Sequence, residues 1–143
     1  MQSERKSCEA GGILIGRENC GNSNLIIEFI TEPMTADQRS RNRFLRKDKR
    51  HLDFFKKLYE ENEGVYGYMG EWHTHPENIP QYSFIDSNNW KKIGKEMKGG
   101  IQYHIIAGIQ EVGIWEYNAV QKRITKICSI DWKGILKENE TII

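Results

Sequence analysis

The sequence predicts a mixed α/β fold of the α+β type, with a mixed or largely antiparallel sheet flanked by helices. Short β-branched segments lie at both ends of the chain, two segments with helical spacing lie between them, and strands and helices alternate irregularly. The chain has 143 residues, of which 38% are hydrophobic, so it can bury one core. We therefore expect a single domain over residues 1–143.

The first two elements are predicted to form a β-hairpin. Apolar runs at residues 11–16 and 25–30 are joined by the segment ENCGNSN, whose residue types favour turns. The following stretch, from Thr31 to Arg50, is dense in basic residues and shows little apolar periodicity. We expect a long, mostly irregular connection there.

A helix is expected at residues 51–62, where apolar residues recur at helical spacing and Gly64 follows as a stop signal. The segment at residues 65–75 is rich in aromatic residues and contains two glycines. This pattern indicates a buried strand that another backbone approaches closely. His73 and His75 would lie at the end of that strand.

Four further elements complete the prediction. Ser83 is a favourable N-cap for a second helix over residues 83–97, in which apolar residues lie along one side. Three strands are expected after it, at residues 101–109, 112–117 and 122–130.

The overall charge calls for no particular class of charged partner. Lys and Arg number 21 and Asp and Glu number 20, so nucleic acid, an anionic membrane or an acidic substrate would each need a local charged patch. No apolar run approaches the ~18 residues of a membrane span. The N-terminal sequence MQSERKSCEAGG lacks the apolar core of a signal peptide. We therefore expect a cytoplasmic protein.

The cysteines indicate neither a disulfide framework nor a structural zinc site. Cys8, Cys20 and Cys128 are odd in number and widely spaced, and no CxxC pair exists. Cys8 lies beside Glu9, and an acidic neighbour disfavours a reactive thiolate. We therefore expect Cys8 to be buried as a small hydrophobic residue.

The stretch EWHTHPENIPQYSFID, at residues 71–86, combines potential metal ligands. Residues two apart on a strand point to the same face, so His73 and His75 would project toward one point. Two neutral imidazoles are a natural half of a zinc site. Asp86 is the best candidate for a third ligand, because a loop stiffened by two prolines can return the next helix to the strand end. Ser83 would then place its hydroxyl beside the metal.

Other interpretations of these residues are open. An HxH pair on a strand is often two polar residues at a sheet edge. Glu71 shares strand parity with the two histidines and is a candidate ligand or base, although we favour a hydrogen-bond partner of a zinc-bound imidazole. His51 and His104 are expected to be solvated or satisfied core histidines rather than ligands.

The segment HTHPENIPQYSFID fits the pattern HxHPx6SxxD and resembles the JAMM motif of the MPN/JAB metallopeptidases. The segment CEAGGILIG adds Glu9 where small prokaryotic JAB members carry a glutamate before the first core strand. All five positions of the motif are then filled. The resemblance implies the family's JAB/MPN fold, a cytidine-deaminase-like mixed sheet flanked by helices.

The resemblance also implies a role for each residue of the motif. His73, His75 and Asp86 would hold Zn²⁺, Glu9 would act as general base and then general acid, and Ser83 would donate to the oxyanion. The reaction would be hydrolysis of an amide. In this family the amide is typically an isopeptide, or the peptide after the C-terminal glycine of a ubiquitin-like protein.

The phrases GEWHTHPE and RSRNRFLRKD are similar to small bacterial JAB peptidases found with ubiquitin-like conjugation machinery, including the deconjugating peptidase of type II CBASS antiphage operons. The implied substrate is a ubiquitin-like or glycine-tailed protein conjugate, with a nucleotidyltransferase conjugate as one candidate. Two alternatives are a catalytically silent MPN-type scaffold and a zinc hydrolase of a small amide. Loss of a ligand or of Glu9 would favour the scaffold, and none is lost.

The basic run from Arg39 to Arg50 is a candidate docking surface. The run could bind the phosphates of RNA or DNA, but this role is disfavoured because it contains only one aromatic residue, Phe44, on which a base could stack. Binding and specificity residues commonly lie in loops, so we expect Arg39, Arg41 and Arg43 to contact a protein substrate.

Overall fold

The structure, a computed structural model, describes residues 8–18, 25–97 and 100–134. These residues form eight strands and two helices. In chain order the elements are β1 (Gly11–Glu18), β2 (Leu25–Ile30), β3 (Gln38–Ser40), β4 (Arg43–Leu45), α1 (Arg50–Glu61), β5 (Gly67–Thr74), α2 (Phe84–Glu96), β6 (Ile101–Ala107), β7 (Glu111–Asn118) and β8 (Arg123–Asp131).

Six strands form one mixed sheet in the order β2-β1-β5-β6-β7-β8. Neighbouring strands are antiparallel except β5 and β6, which are parallel. Parallel neighbours need a crossover connection, and α2 lies in that connection. The predicted fold class, a mixed sheet with helices, is confirmed.

The prediction of an irregular connection at residues 31–50 is wrong in part, because β3 and β4 pair as an antiparallel hairpin there. Each strand has three residues, too few to show an alternating pattern in the sequence. The carboxylate of Asp37 holds the segment together instead. It accepts hydrogen bonds from the backbone N–H of Met34 and Lys47 at 2.8 Å and of Asp48 at 2.9 Å. Asp37 thus joins the two ends of the segment that carries the hairpin.

The buried apolar residues form two clusters that fix the strands around the predicted metal site. The first packs α2 onto β6 and β7, and the second joins β1 to β5. The first consists of Trp90, Ile106, Trp115 and Tyr117, and the second of Ala10, Leu14 and Trp72. Removing this apolar surface from water stabilises the sheet by about 25 cal/mol per Å². The core therefore holds the start of β1, the end of β5 and the middle of α2, where Trp90 lies.

Gly70 explains the predicted close approach of another backbone to β5. Its φ is +146°, and a Cβ atom there would lie 1.6 Å from the carbonyl oxygen of Tyr103 on β6. Residues with a side chain rarely adopt this backbone conformation. The parallel pairing of β5 with β6 therefore requires glycine at this position.

The expectation that Cys8 is buried is wrong, since Cys8 is exposed. It precedes β1 and lies just outside the buried segment, which begins at Glu9. Cys128 is also exposed, and Cys20 lies outside the described residues. Neither α1 nor α2 is long and apolar enough to cross a membrane.

Candidate metal centre

The end of β5 places both histidines beside β1 and β6. His73 is the penultimate residue of the strand, and His75 follows it and donates its backbone N–H to Ala107 at 3.0 Å. Between them, Thr74 donates its N–H to the carbonyl of Ala10 at 2.9 Å and accepts the Ala10 N–H on its hydroxyl at 2.9 Å. These bonds fix the backbone on both sides, so the two imidazoles start from a rigid strand end.

The first turn of α2 brings Asp86 to the same point. Ser83 is the N-cap, as predicted, and forms a capping box with Asp86: the Ser83 N–H donates to Oδ2 at 2.8 Å, and the Asp86 N–H donates to Oγ at 3.1 Å. The loop before the helix is tied to the turn after β6, where Ile109 donates to the carbonyl of Glu77 at 2.7 Å. Hydrogen bonds therefore fix the loop that connects His75 to Asp86 at both of its ends.

The three predicted ligands converge within a space that suits one metal ion. Their nearest ligand atoms lie within 4.8 Å of one another. Asp86 Oδ1 is 3.2 Å from His73 Nε2, Oδ2 is 3.2 Å from His75 Nε2, and the two Nε2 atoms are 3.0 Å apart. Two imidazole nitrogens and one carboxylate oxygen are a common ligand set for catalytic zinc, with one further position for water. The residues present therefore fit a zinc ion.

The charges of the three groups are coupled. Burial alone would raise the pKa of Asp86, but hydrogen bonds from His73 and His75 hold it far below its usual range. Burial alone would lower the pKa of His75, but the Asp86 carboxylate raises it. The cluster therefore attracts positive charge, which a proton or a metal ion can supply.

Glu9 lies just before β1 and is 3% exposed. Burial raises the pKa of its carboxyl to about 7, an effect that the nearby His75 opposes and Asp86 reinforces. The backbone N–H of Phe44 donates to the carboxylate. A buried carboxyl that interacts electrostatically with two metal-ligand candidates and exchanges its proton near neutral pH is suited to general acid and base chemistry.

Comparisons with known proteins agree with this geometry. A family model described as prokaryotic homologues of the JAB domain matches residues 1–120. The chain belongs to this family. The resemblance inferred from the HxHPx6SxxD pattern is thereby confirmed, and the match covers every described strand and helix before β8.

Three curated relatives are each named CD-NTase/cGAS isopeptidase. The chain is 40% identical to the one from Escherichia coli over 89 residues, which are 62% of this chain and 56% of the relative. It is 32% identical to that of Pseudomonas aeruginosa over 98 residues, 68% and 61% of the two chains. It is 36% identical to that of Vibrio cholerae over 84 residues, 59% and 53%. The chain thus spans little more than half the length of these relatives.

A solved structure with a similar fold is the solution structure of protein DSY2949 from Desulfitobacterium hafniense. The match has a TM-score of 0.57 and 18% sequence identity, and covers 88% of this chain and 77% of the other. At that level of identity the similarity concerns the fold alone.

Contrary to the expectation from the sequence, Glu71 does not contact a candidate zinc-binding imidazole. Glu71 accepts hydrogen bonds from Arg46 at 2.8 and 3.3 Å and from the Tyr68 hydroxyl at 2.9 Å. Besides the carboxylate of Asp86, that of Glu77 lies next to an imidazole, with its Oε1 3.1 Å from His75 Nδ1. A carboxylate on the second nitrogen orients a metal-binding imidazole. The sequence signal that could have identified this contact is the position of Glu77, an acidic residue two positions after His75.

The two remaining described histidines of the JAB domain are fully buried and lie outside the ligand cluster. His51 lies between the carboxylate of Asp37 and the hydroxyl of Thr31, at 2.5 Å from each. His104 stacks on the Trp90 ring, with 4.3 Å between centroids. Burial lowers the pKa of His104 well below its usual value.

A groove of about 640 Å³ lies beside the metal site, between β4 and α2. Asp86 and Glu71 line it together with exposed Phe84 and Ile85. Of the three arginines predicted to dock a substrate, Arg43 lines the groove, whereas Arg39 donates to the carbonyl of Glu9. Arg41 is exposed and does not line the groove.

Proposed function

We propose that this chain is a zinc-dependent isopeptidase that hydrolyses the amide after the C-terminal glycine of a ubiquitin-like or similarly tailed protein joined to a target. The observation that carries the proposal is the convergence of His73, His75 and Asp86 beside the buried carboxyl of Glu9. The names of the relatives support a CD-NTase as the target protein. A role in antiphage defence follows if the conjugated partner is such an enzyme.

His73 and His75 would hold the zinc ion through Nε2, and Asp86 would hold it through its carboxylate. When bound, zinc lowers the pKa of a coordinated water toward ~7 and polarises the carbonyl of the scissile bond. Glu77 would keep the His75 ring oriented by accepting the proton on Nδ1.

Glu9 is proposed to move the protons of the reaction. Its carboxylate accepts a proton from the attacking water and, as the C–N bond breaks, delivers it to the departing amine. The raised pKa of Glu9 suits both steps, because the group holds and releases a proton near neutral pH.

Ser83 is proposed to stabilise the negative charge that develops on the carbonyl oxygen. Its oxygen accepts the Asp86 N–H, so the hydroxyl hydrogen is directed elsewhere, and the residue is exposed toward solvent. Donors of this kind contribute about 3 kcal/mol to the transition state.

The groove between β4 and α2 is proposed to receive the tail of the substrate. The proposed metal ligand Asp86 is one of its lining residues. An extended peptide lying beside a strand leaves little space for side chains near the scissile bond. This arrangement favours glycine as the last residue of the tail.

The proposal is tested with a ubiquitin-like protein joined through its terminal glycine to a lysine side chain of a target. We expect zinc-loaded wild-type protein to cut this bond, chelation to abolish cleavage, and His75→Ala to lose both zinc and activity. A tail that ends in leucine should be cut more slowly. Active protein shown by elemental analysis to be free of metal would refute the proposal.

Glu9→Gln and Glu71→Gln separate the proposed base from the acidic residue beside Arg46. Glu9→Gln should retain zinc and the fold yet lose at least ~100-fold in single-turnover rate, as expected when a proton-transfer group is removed. Glu71→Gln should lose about tenfold, because it loosens contacts around the site without removing the group that carries the proton. An active Glu9→Gln beside an inactive Glu71→Gln would reverse the assignment.

A further inference from the structure

Glu9 is held from several sides by the β3–β4 hairpin. Its N–H donates to the carbonyl of Ser40 at 2.7 Å, and its own carbonyl accepts the Nε–H of Arg39 at 2.7 Å. Its carboxylate accepts the backbone N–H of Phe44, the residue that pairs with Arg39 across the hairpin. One strand pair therefore contacts the backbone and the side chain of the same glutamate.

The hairpin itself is anchored away from the metal site. Asp37 accepts the N–H groups of Met34, Lys47 and Asp48 and contacts buried His51 at the start of α1. Because the base of the hairpin is fixed, Arg39 has a fixed position, and its contact holds Glu9 in a defined place.

Glu9 has no regular strand to hold it, since β1 begins two residues later at Gly11. Ala10 pairs with Thr74 and so fixes the chain on the side of β5. On the opposite side the contacts come from the hairpin, and Arg39 provides the side-chain contact to the Glu9 backbone.

We propose that Arg39 is a positioning residue for the general base, holding the Glu9 backbone through its Nε–H so that the carboxylate faces the metal centre. This inference rests on the proposed function of Glu9. It differs from the expectation that Arg39 docks the substrate, because a docking residue alters KM whereas a residue that acts through the base alters kcat.

Arg39→Ala should lower kcat about 10- to 100-fold, the range for residues that orient a catalytic group, and leave KM and zinc content unchanged. Arg39→Lys should recover part of the loss, because lysine retains a donor and a charge at that position. In a Glu9→Gln background Arg39→Ala should cause no further loss, since two residues that act as a unit are not additive.

Hydrogen exchange tests, without any activity, how firmly Arg39 holds the Glu9 backbone, because the Glu9 amide donates to the carbonyl of Ser40, the hairpin residue next to Arg39. Hydrogen exchange of the Glu9 amide should be at least about tenfold faster in Arg39→Ala than in wild type, in zinc-free as well as zinc-loaded protein. Arg17→Ala is the matched control: Arg17 makes a 2.7 Å bond through the same Nε atom, but to Glu28 on β2. It should change neither kcat nor exchange at Glu9.

Two outcomes would overturn the proposal. The first is an unchanged rate of Glu9 amide exchange in Arg39→Ala, and the second is a raised KM with an unchanged kcat. If wild-type protein cleaves no conjugate, the proposed function fails, but the exchange measurement still decides whether Arg39 holds Glu9.

Discussion

Glu9 is a carboxyl group in surroundings that disfavour its charge. It is almost fully buried, and burial is the main reason that its pKa rises from 4.5 to about 7. A carboxyl with a raised folded-state pKa binds protons more tightly when folded than when unfolded. It therefore makes the folded protein less stable as pH rises from about 4.5 to about 7, and the full penalty is present above pH 7.

Glu9→Gln should for this reason stabilise the metal-free protein at high pH. At pH 8 we expect the free energy of unfolding to rise by about 1 to 3 kcal/mol, since each pKa unit corresponds to about 1.4 kcal/mol. At pH 4 the gain should nearly vanish, because the wild-type carboxyl is then mostly protonated in both states. Urea unfolding of chelated protein at the two pH values measures the difference, with exposed Glu60→Gln as control. An equal effect at both pH values would contradict the prediction.

At the scale of elements, the start of α2 combines helix capping with the site. Ser83 accepts the N–H of Asp86, and the Asp86 carboxylate accepts the N–H of Ser83. The stability of the helix and the placement of the proposed metal ligand Asp86 thus depend on the same two side chains. The hydroxyl of Ser83 has a second, separable role in the proposed reaction.

Ser83→Gly separates these two roles. Glycine is itself an acceptable N-cap, so the free energy of unfolding should fall by only a few tenths of a kcal/mol, against about 1 kcal/mol for Ser83→Ala. Both variants lack the hydroxyl and should lose about 100-fold or more in turnover. Thermal unfolding and single-turnover assays on the two variants test this. Turnover that follows helix stability, with Ser83→Gly nearly as active as wild type, would argue against a role for the hydroxyl.

At the scale of the whole molecule, the site depends on the pairing of β5 with both of its neighbours. The β1 partner of β5 brings Glu9 close, and the parallel β6 partner holds the backbone of His75. Gly70 allows the approach of β6, since its φ and the nearby Tyr103 carbonyl leave no space for a side chain.

Gly70→Ala should therefore destabilise the fold by more than about 2 kcal/mol, through backbone strain and displacement of β6. Reduced zinc content is expected with it, because the His75 backbone is bonded to β6. Gly100→Ala is a suitable control, since a Cβ there would meet nothing within 4 Å. Thermal unfolding of the two variants measures the loss of stability. Equal melting temperatures for Gly70→Ala and Gly100→Ala would contradict the prediction.

The sequence predicted the parts of the site that follow from local rules. His73 and His75 share a face because side chains alternate along a strand, and Ser83 has the residue type that caps a helix. The contact between Ala10 and Thr74 spans 64 positions in the sequence, so no local pattern could bring Glu9 to the histidines. Its assignment came from the family motif.

The remaining features depend on tertiary contacts that leave little trace in composition. The two ends of the segment that carries the β3–β4 hairpin are joined by hydrogen bonds to the carboxylates of Asp37 and Asp48 rather than by an apolar pattern. Arg39 looks like a solvated residue in a basic run, and its contact with the Glu9 carbonyl becomes visible only when the hairpin is in place.

The capping box also bears on how the proposed metal centre would take up its ion. Asp86 is held by the backbone of Ser83, and both imidazoles start from a strand end that is bonded to its neighbours. The ligands are therefore preorganised, in contrast to zinc fingers, whose binding energy is consumed in folding the chain. If the proposed zinc site is correct, a newly synthesised chain would fold before it meets an ion, and chelated protein would be reloaded without refolding. Metal supply would then act as a reversible control on activity while leaving the amount of folded protein unchanged.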